Sequence, residues 1–461
     1  MELYPFQKKG VAAALSALKR PERSFIYSDE MGLGKTLQAL RVAEALDIKK
    51  CLIVAPNAAK EEWVRMIKEF TDKSCVVVNS KDGLLGRSFF YVMGYDRLRL
   101  MTDDIVRLAP DLLIVDECHM VKQKDALRTQ ALMSLTPRYK LFLSGTLITK
   151  HRDDLWTILN AIDPGNFPTY NDFIKKYCTI KKQRVRYRKY GRWMVRFINK
   201  VTGGKNTKEL VEKIRPYIIR RTKAQVLPEL PPKVYQKLYV DLSREQQKAY
   251  NSLSNELRTE IDGQTISARN AMAKFTRLRQ ICQTTAEVGE NDKSSKLDLA
   301  VELVQEICDP ENNNKALVFT PFVATAKCLC KRLKGFAPAF VVGSISDSDM
   351  GREKERFQTD KKCRVYVGTI AKNMQSINLQ QATHVIFVGK SLVPAFNVQA
   401  EDRAHRIGQK NTVVVIHLLT RDTVEERIEE ILQDKIEDFN DLFGEKGETF
   451  NEDLKNIRRL L

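Results

Sequence analysis

Three short strings carry the residues whose types and spacing could do chemistry. In the first, Gly32-Leu33-Gly34 closes on Lys35-Thr36 between an apolar run, Ser24–Tyr27, and a stretch with apolar positions on one face, Lys35–Leu46. Glycine lets the backbone curl until several N–H groups point at one place, and a helix N-terminus adds partial positive charge there. Lys35 can then reach the outer phosphates of a nucleotide, and the Thr36 hydroxyl can hold Mg²⁺. One departure stands out: the usual phosphate-binding loop has glycine where this chain has Asp29.

The second string, Asp116-Glu117-Cys118-His119, follows the apolar run Leu112–Val115. An acidic pair at a strand end suits Asp116 to Mg²⁺, through water, and Glu117 to orienting and deprotonating an attacking water. Cys118 reads as a small buried side chain, and His119, just past the carboxylates, as a coupling contact. The third string is Ser144-Gly145-Thr146, whose small hydroxyls Ser144 and Thr146 can sense phosphate and bond across a cleft.

These strings need a frame. Runs at Cys51–Ala55, Cys75–Asn79, Phe89–Met93, Leu112–Val115 and Leu141–Ser144 alternate with amphipathic stretches such as 58–70. Near-continuous apolar strands separated by helices predict a parallel sheet covered on both faces, with ligands at the carboxyl ends of the strands. All three strings fall at such ends. A second set of runs, Ala316–Thr320, Ala339–Gly343, Arg364–Thr369, His384–Gly389 and Thr412–Leu419, repeats the rhythm with no phosphate-binding loop of its own.

The 461 residues allow two or three domains, and the net charge of +19 favours a polyanionic partner such as nucleic acid. No apolar run approaches the ~20 residues of a membrane span, and the first ten residues lack a signal peptide's apolar core. Nine scattered cysteines without a CxxC pair predict reduced thiols in the cytoplasm, with neither disulfides nor a metal cluster.

The ordered set YPFQ, DEMGLGKT, DECH, LSGT, IIRRTKAQVLPELPPK (Ile218–Lys233) and QAEDRAHRIGQ (Gln399–Gln409) resembles the Swi/Snf-type ATPases of helicase superfamily 2 over nearly the whole chain. In that family aspartate commonly stands at the position of Asp29. The resemblance implies an α/β fold of two RecA-like lobes, ATP in the cleft between them, and duplex DNA across both. Gln7 matches the family's adenine-reading glutamine, and Gln399 falls in its nucleotide-facing closing string. Trp63 and the VMGYDRL stretch match segments that border the DNA track. Arg403 and Arg406, three apart on an expected helix, would share one face and stabilise the charge of phosphoryl transfer.

The expected organisation is lobe 1 over 1–150, a helical insertion and linker over 151–232, a helical protrusion over 233–295, lobe 2 over 296–430 and a closing brace helix over 431–461. Inside the insertion, 181–205 holds ten lysines and arginines and no acid. Two β-prone runs there flank Tyr190-Gly191, predicting a hairpin. Arg184, Arg186, Tyr187, Arg188, Lys189, Tyr190, Arg192 and Trp193 would bind phosphate and stack on bases or wedge a junction. The family's AGGxGINL stands here as AKNMQSINL, one residue longer and without glycine; the resemblance implies that Lys372 and Asn373 within it contact DNA. Asn373-Met374, YPFQ and QAEDR are reminiscent of the annealing-helicase branch. The compact build suits a viral or bacterial enzyme, as bacteriophage branch-migration helicases are, and argues against a chromatin remodeller. The expectation is a monomeric, ATP- and Mg²⁺-dependent motor on branched DNA. A duplex translocase that strips proteins, and an ATP-gated DNA-binding switch, are the alternatives.

Overall fold

A computed structural model describes residues 2–148, 152–189, 192–256, 258–261, 264–267, 271–289, 291–312, 314–373, 379–430 and 432. The expected brace helix over 431–461, residue 432 apart, and the 374–378 part of the altered segment lie outside these residues. The chain divides into two compact units between Leu227 and Pro228.

The first unit opens with helix α1 (Pro5–Ala17), then strand β1 (Ser24–Tyr27), helix α2 (Lys35–Ala45), β2 (Cys51–Ala55) and α3 (Lys60–Phe70). Strands β3 (Cys75–Val77), β4 (Phe90–Gly94), β5 (Leu112–Asp116) and β6 (Tyr139–Leu143) follow. Helix α3 shows why such segments fold as they do. Glu61 and Glu62 sit in its first turn and Lys68 in its last, matching the helix dipole, while Trp63 and Ile67 are buried one turn apart.

With β9 (Ile218–Ile219), these strands form a parallel sheet in the order β3-β4-β2-β5-β6-β1-β9. Alternate residues of β2 enter different cores: Leu52 and Val54 join one apolar cluster, and Cys51, Ile53 and Ala55 the other. The sheet is therefore covered on both faces, which is why its strands read as unbroken apolar runs.

Helices α4 (Trp156–Ile162) and α5 (Tyr170–Tyr177) lead into an antiparallel ribbon of β7 (Cys178–Lys189) and β8 (Arg192–Gly204). The ribbon is a sheet of its own, paired from Cys178↔Gly204 to Lys189↔Arg192. Its base is fixed by the buried side chains of Tyr177, Cys178 and Val201. The buried guanidinium of Arg152 lies where a Cβ on Gly204 would fall, and it donates to Thr207 Oγ1 at 2.9 Å.

The second unit begins with β10 (Lys233–Val240), which pairs in parallel along its full length with β17 (Val413–Thr420). This strand falls where a helical protrusion was expected to start. Helix α6 (Arg244–Glu256), a short hairpin of β11 (Arg258–Ile261) and β12 (Gln264–Ser267), and helix α7 (Ala271–Gln283) follow. Strands β13 (Ala316–Thr320), β14 (Ala339–Val341), β15 (Val365–Thr369) and β16 (His384–Phe387) complete a sheet ordered β10-β17-β16-β13-β15-β14. Helix α8 (Pro394–Glu401), opened by its proline, leads toward the arginine-bearing segment. Among the described residues, no helix is long and apolar enough to cross a membrane.

Candidate active site

Strands β5, β6 and β1 are neighbours, and their register aligns Asp116 and Tyr27 with Leu143. The turns they feed therefore start level and side by side. The phosphate-binding loop, the acidic turn and Ser144-Gly145-Thr146 are brought together by pairing alone.

In the loop, Gly32 and Gly34 have φ of 84° and 74°, a region costly for residues with a Cβ. A Cβ at Gly34 would stand 2.5 Å from Gln7 Nε2, and one at Gly145 would stand 2.9 Å from Met31 Cγ. Gln7 reaches the loop, but both ends of its amide face protein. Nε2 donates to Leu33 O at 3.1 Å, and Oε1 accepts from Tyr4 N at 3.0 Å. Lys35 Nζ donates to the carbonyls of Asp29 at 2.7 Å and Glu30 at 3.3 Å, folded over the loop its ammonium would leave for a phosphate. Gly34→Ala is expected to weaken ATP binding about tenfold or more, through backbone strain and the clash with Gln7. Titration of a fluorescent ATP analogue measures it.

Asp29 is fully buried, and its carboxylate accepts from Arg221 and Gln38. Arg221 Nε to Asp29 Oδ1 is 2.9 Å, and the guanidinium also donates to Gln38 Oε1 at 2.8 Å. An acid replaces the loop glycine here because a distant arginine needs a partner. Arg221 stood in a motif of the resemblance, yet nothing in its spacing indicated this contact.

Asp116 Oδ2 accepts from Trp63 Nε1 at 2.8 Å, and Oδ1 from the Glu117 N–H at 3.0 Å. Burial, and then the neighbouring Glu117 charge, push the Asp116 carboxyl up to about 6. Trp63 is buried, and its ring braces the acidic turn. Tyr95, from the VMGYDRL stretch, is buried likewise and donates to Asp116 O at 2.5 Å. Sequence spacing carries no signal for either brace, since each joins the acidic turn to a side chain 21 to 53 positions back.

Glu117 adopts φ 49°, ψ 52°, the left-handed region a glutamate occupies at a cost of roughly 1 kcal/mol. Its Oε2 accepts from Ser144 Oγ at 3.2 Å and lies 3.1 Å from His119 Nδ1, which is also 3.1 Å from Ser144 Oγ. Thr146 N donates to Ser144 Oγ at 3.1 Å, while the Thr146 hydroxyl is buried with no partner among the described residues. One network thus links His119, Ser144 and Thr146 to the acid. Cys118 is buried, and burial drives its thiol well above the usual range, which removes it as a nucleophile.

The expected helix through Arg403 and Arg406 is corrected: α8 ends at Glu401, and both arginines sit in the turns that follow. Arg403 is buried, its Nε donating to Gln399 O at 3.0 Å, and Arg406 is half-buried. Gln399 is buried, with Nε2 lacking a partner among the described residues. Where the helix ends, Glu401 and Asp402 lie 3.0 and 3.5 Å from Lys233 Nζ.

Asn373 is also corrected. Its side chain is fully buried, accepting from Tyr366 OH at 2.5 Å and donating to Thr369 O at 2.9 Å. That amide locks β15 to the turn after it and does not reach DNA. Lys372 is half-buried. Backbone register alone places Arg184, Arg186, Tyr187, Arg188, Lys189, Arg192 and Trp193 on the ribbon, and Tyr190 lies outside the described residues.

A glycine cradle on a helix N-terminus, an ammonium beside it and an acidic pair two strands over define an ATPase of the phosphate-loop class. The SNF2-related domain matches residues 6–287, and the helicase conserved C-terminal domain matches residues 295–408. The chain belongs to the SNF2-related family of ATP-dependent helicases and translocases. It is 29% identical over 447 residues to the bovine (Bos taurus) DNA annealing helicase and endonuclease ZRANB3, covering 92% of this chain and 39% of that protein. It is 27% identical over 455 residues to the uncharacterized ATP-dependent helicase MG018 of Mycoplasma genitalium, covering 94% and 42%. The chain thus spans about two fifths of the length of these relatives. A SWI2/SNF2 ATPase core of Sulfolobus solfataricus, solved with double-stranded DNA, aligns at 23% identity and a TM-score of 0.45, covering 96% of this chain and 93% of that one.

Proposed function

We propose that this chain is an ATP-driven DNA motor that acts as a monomer on forks and four-way junctions. The observation that carries the motor reading is the shared level of the three turns on β1, β5 and β6. ATP would lie on the Gly32–Thr36 loop, its outer phosphates met by Lys35 and its adenine by Gln7, with Gln399 as a further nucleotide-binding residue. Thr36 and Asp116 would hold Mg²⁺, a hard cation suited to hydroxyl and carboxylate oxygens, which supplies charge neutralisation at the phosphates. Glu117 takes the proton of the attacking water, with Ser144 and His119 fixing its carboxylate. Arg403 and Arg406 supply positive charge to the transferring phosphoryl group.

The branched-DNA reading rests on the ribbon. It is strongly basic, carries no acid, and exposes Phe197 to 69% and Val195 to 43%. Cations that meet phosphate beside apolar side chains that meet bases suit DNA whose strands are parting. The similarity to a DNA annealing helicase points the same way. The nine cysteines are free thiols, which fits the reducing, DNA-containing cytoplasm.

The test compares ATP-driven unwinding of a Holliday junction, a fork and a blunt duplex, by the parent chain and by a variant with Tyr190 and Trp193 changed to alanine. Junction unwinding that drops at least about fivefold in the variant, with duplex-stimulated ATPase retained, supports the reading. Equal stimulation by linear and branched DNA favours a duplex translocase that strips proteins. Hydrolysis without strand or roadblock displacement favours an ATP-gated switch.

A further inference from the structure

The chain on either side of the unit boundary is anchored at both ends to catalytic segments. On the amino-terminal side, Ile218–Lys223 runs along the loop residues 28–30. Ser28 N donates to Ile219 O at 2.8 Å, and Glu30 N to Arg221 O at 2.9 Å. Arg221 grips the Asp29 carboxylate, and Lys223 N donates to Glu30 Oε2 at 2.7 Å. On the carboxy-terminal side, His405 Nε2 donates to Pro231 O at 2.7 Å, and Lys233 Nζ to Glu401 Oε2 at 3.0 Å. Tyr235 OH donates to the same Glu401 oxygen at 2.9 Å.

The piece between the anchors has little slack. Lys223–Val226 is a helical turn capped by the Thr222 side chain, and Pro228, Pro231 and Pro232 follow. The loop end is also the end that Lys35 touches. Asp29 and Glu30, whose carbonyls hold Lys35 Nζ, are the residues whose carboxylates hold Arg221 and Lys223. When Lys35 turns to a phosphate it releases those two carbonyls, and the loop it leaves is the one that Arg221 and Lys223 hold.

We infer that Ile218–Tyr235 is a coupling strap that passes nucleotide occupancy at the Lys35 loop to the Arg403–Arg406 segment. Arg221 and Lys233 act as positioning residues at its two ends. Neither touches substrate; each sets the place of a segment that does. The inference rests on the ATP-driven motor reading above and names the path by which that motor is coupled.

The test inserts Gly-Ser-Gly between Leu227 and Pro228 of the full chain, which leaves both anchors intact and slackens the piece between them. ATP affinity, ATP turnover without DNA, DNA-stimulated turnover and strands displaced per ATP are measured beside the parent chain. The strap predicts affinity and DNA-free turnover within about twofold, with DNA stimulation and displacement per ATP each down about tenfold. Arg221→Lys, which keeps the charge but loses the two-pronged grip, is expected to lower the same ratio by about threefold. An insertion variant with parental stimulation and displacement per ATP overturns the strap while the motor reading stands. A parent chain whose ATPase ignores DNA overturns the motor reading itself. A uniform fall of all four quantities in the insertion variant marks a structural role only and also overturns the strap.

Discussion

Glu117→Gln is expected to bind ATP as the parent chain does and to turn it over about a hundredfold to a thousandfold more slowly. The substitution keeps the side chain's length and one carbonyl oxygen. Ser144 Oγ, 3.2 Å away, retains an acceptor, and the acidic turn keeps its supports from Trp63 and Tyr95. What is lost is the basic oxygen that takes a proton from water. Steady-state hydrolysis, together with titration of a fluorescent ATP analogue, separates the two effects. Turnover within fivefold of the parent would reassign the base to another residue.

Arg406→Ala is expected to leave ATP affinity within about threefold and to cut turnover about a hundredfold. Arg406 is the better of the two arginines for this test. Arg403 is buried and its Nε is held by Gln399 O, so its loss disturbs packing as well as charge. Arg406 is half-buried in a turn, and alanine there costs little stability. Arg406→Lys should recover only part of the rate, since an ammonium lacks the planar fork that meets two phosphate oxygens. Single-turnover hydrolysis reads both variants, and near-parental rates in Arg406→Ala would end the assignment of charge stabilisation to this residue.

The sequence showed most of the frame and less of the wiring. Strands such as Cys51–Ala55 and Ala316–Thr320 were legible because a sheet covered on both faces demands unbroken apolar runs. The phosphate loop was legible because glycine, lysine and threonine at fixed spacing have few other uses together. The two-residue strand Ile218–Ile219 was too short to show a period, and its place is set by pairing with Ile26 and Tyr27. Lys233–Val240 followed two prolines, which masked a strand that pairs with residues 180 positions on.

The arginine turn failed for a related reason. Nothing between Gln399 and Ile407 breaks a helix locally, yet regular helix ends at Glu401, where Glu401 and Asp402 meet a lysine 168 positions back. Trp63, Tyr95 and Arg221 were visible as residues but not as braces. Local chemistry writes the motif, and contacts across 20 to 190 positions decide what holds it.

The left-handed backbone at Glu117 has a consequence for how this enzyme can change. Asparagine tolerates that conformation better than glutamate does. Glu117→Asn should therefore melt at a higher temperature than the parent while hydrolysing almost nothing. A library selected for heat resistance alone would drift toward dead enzymes at this position, whereas one selected for work would keep the awkward residue.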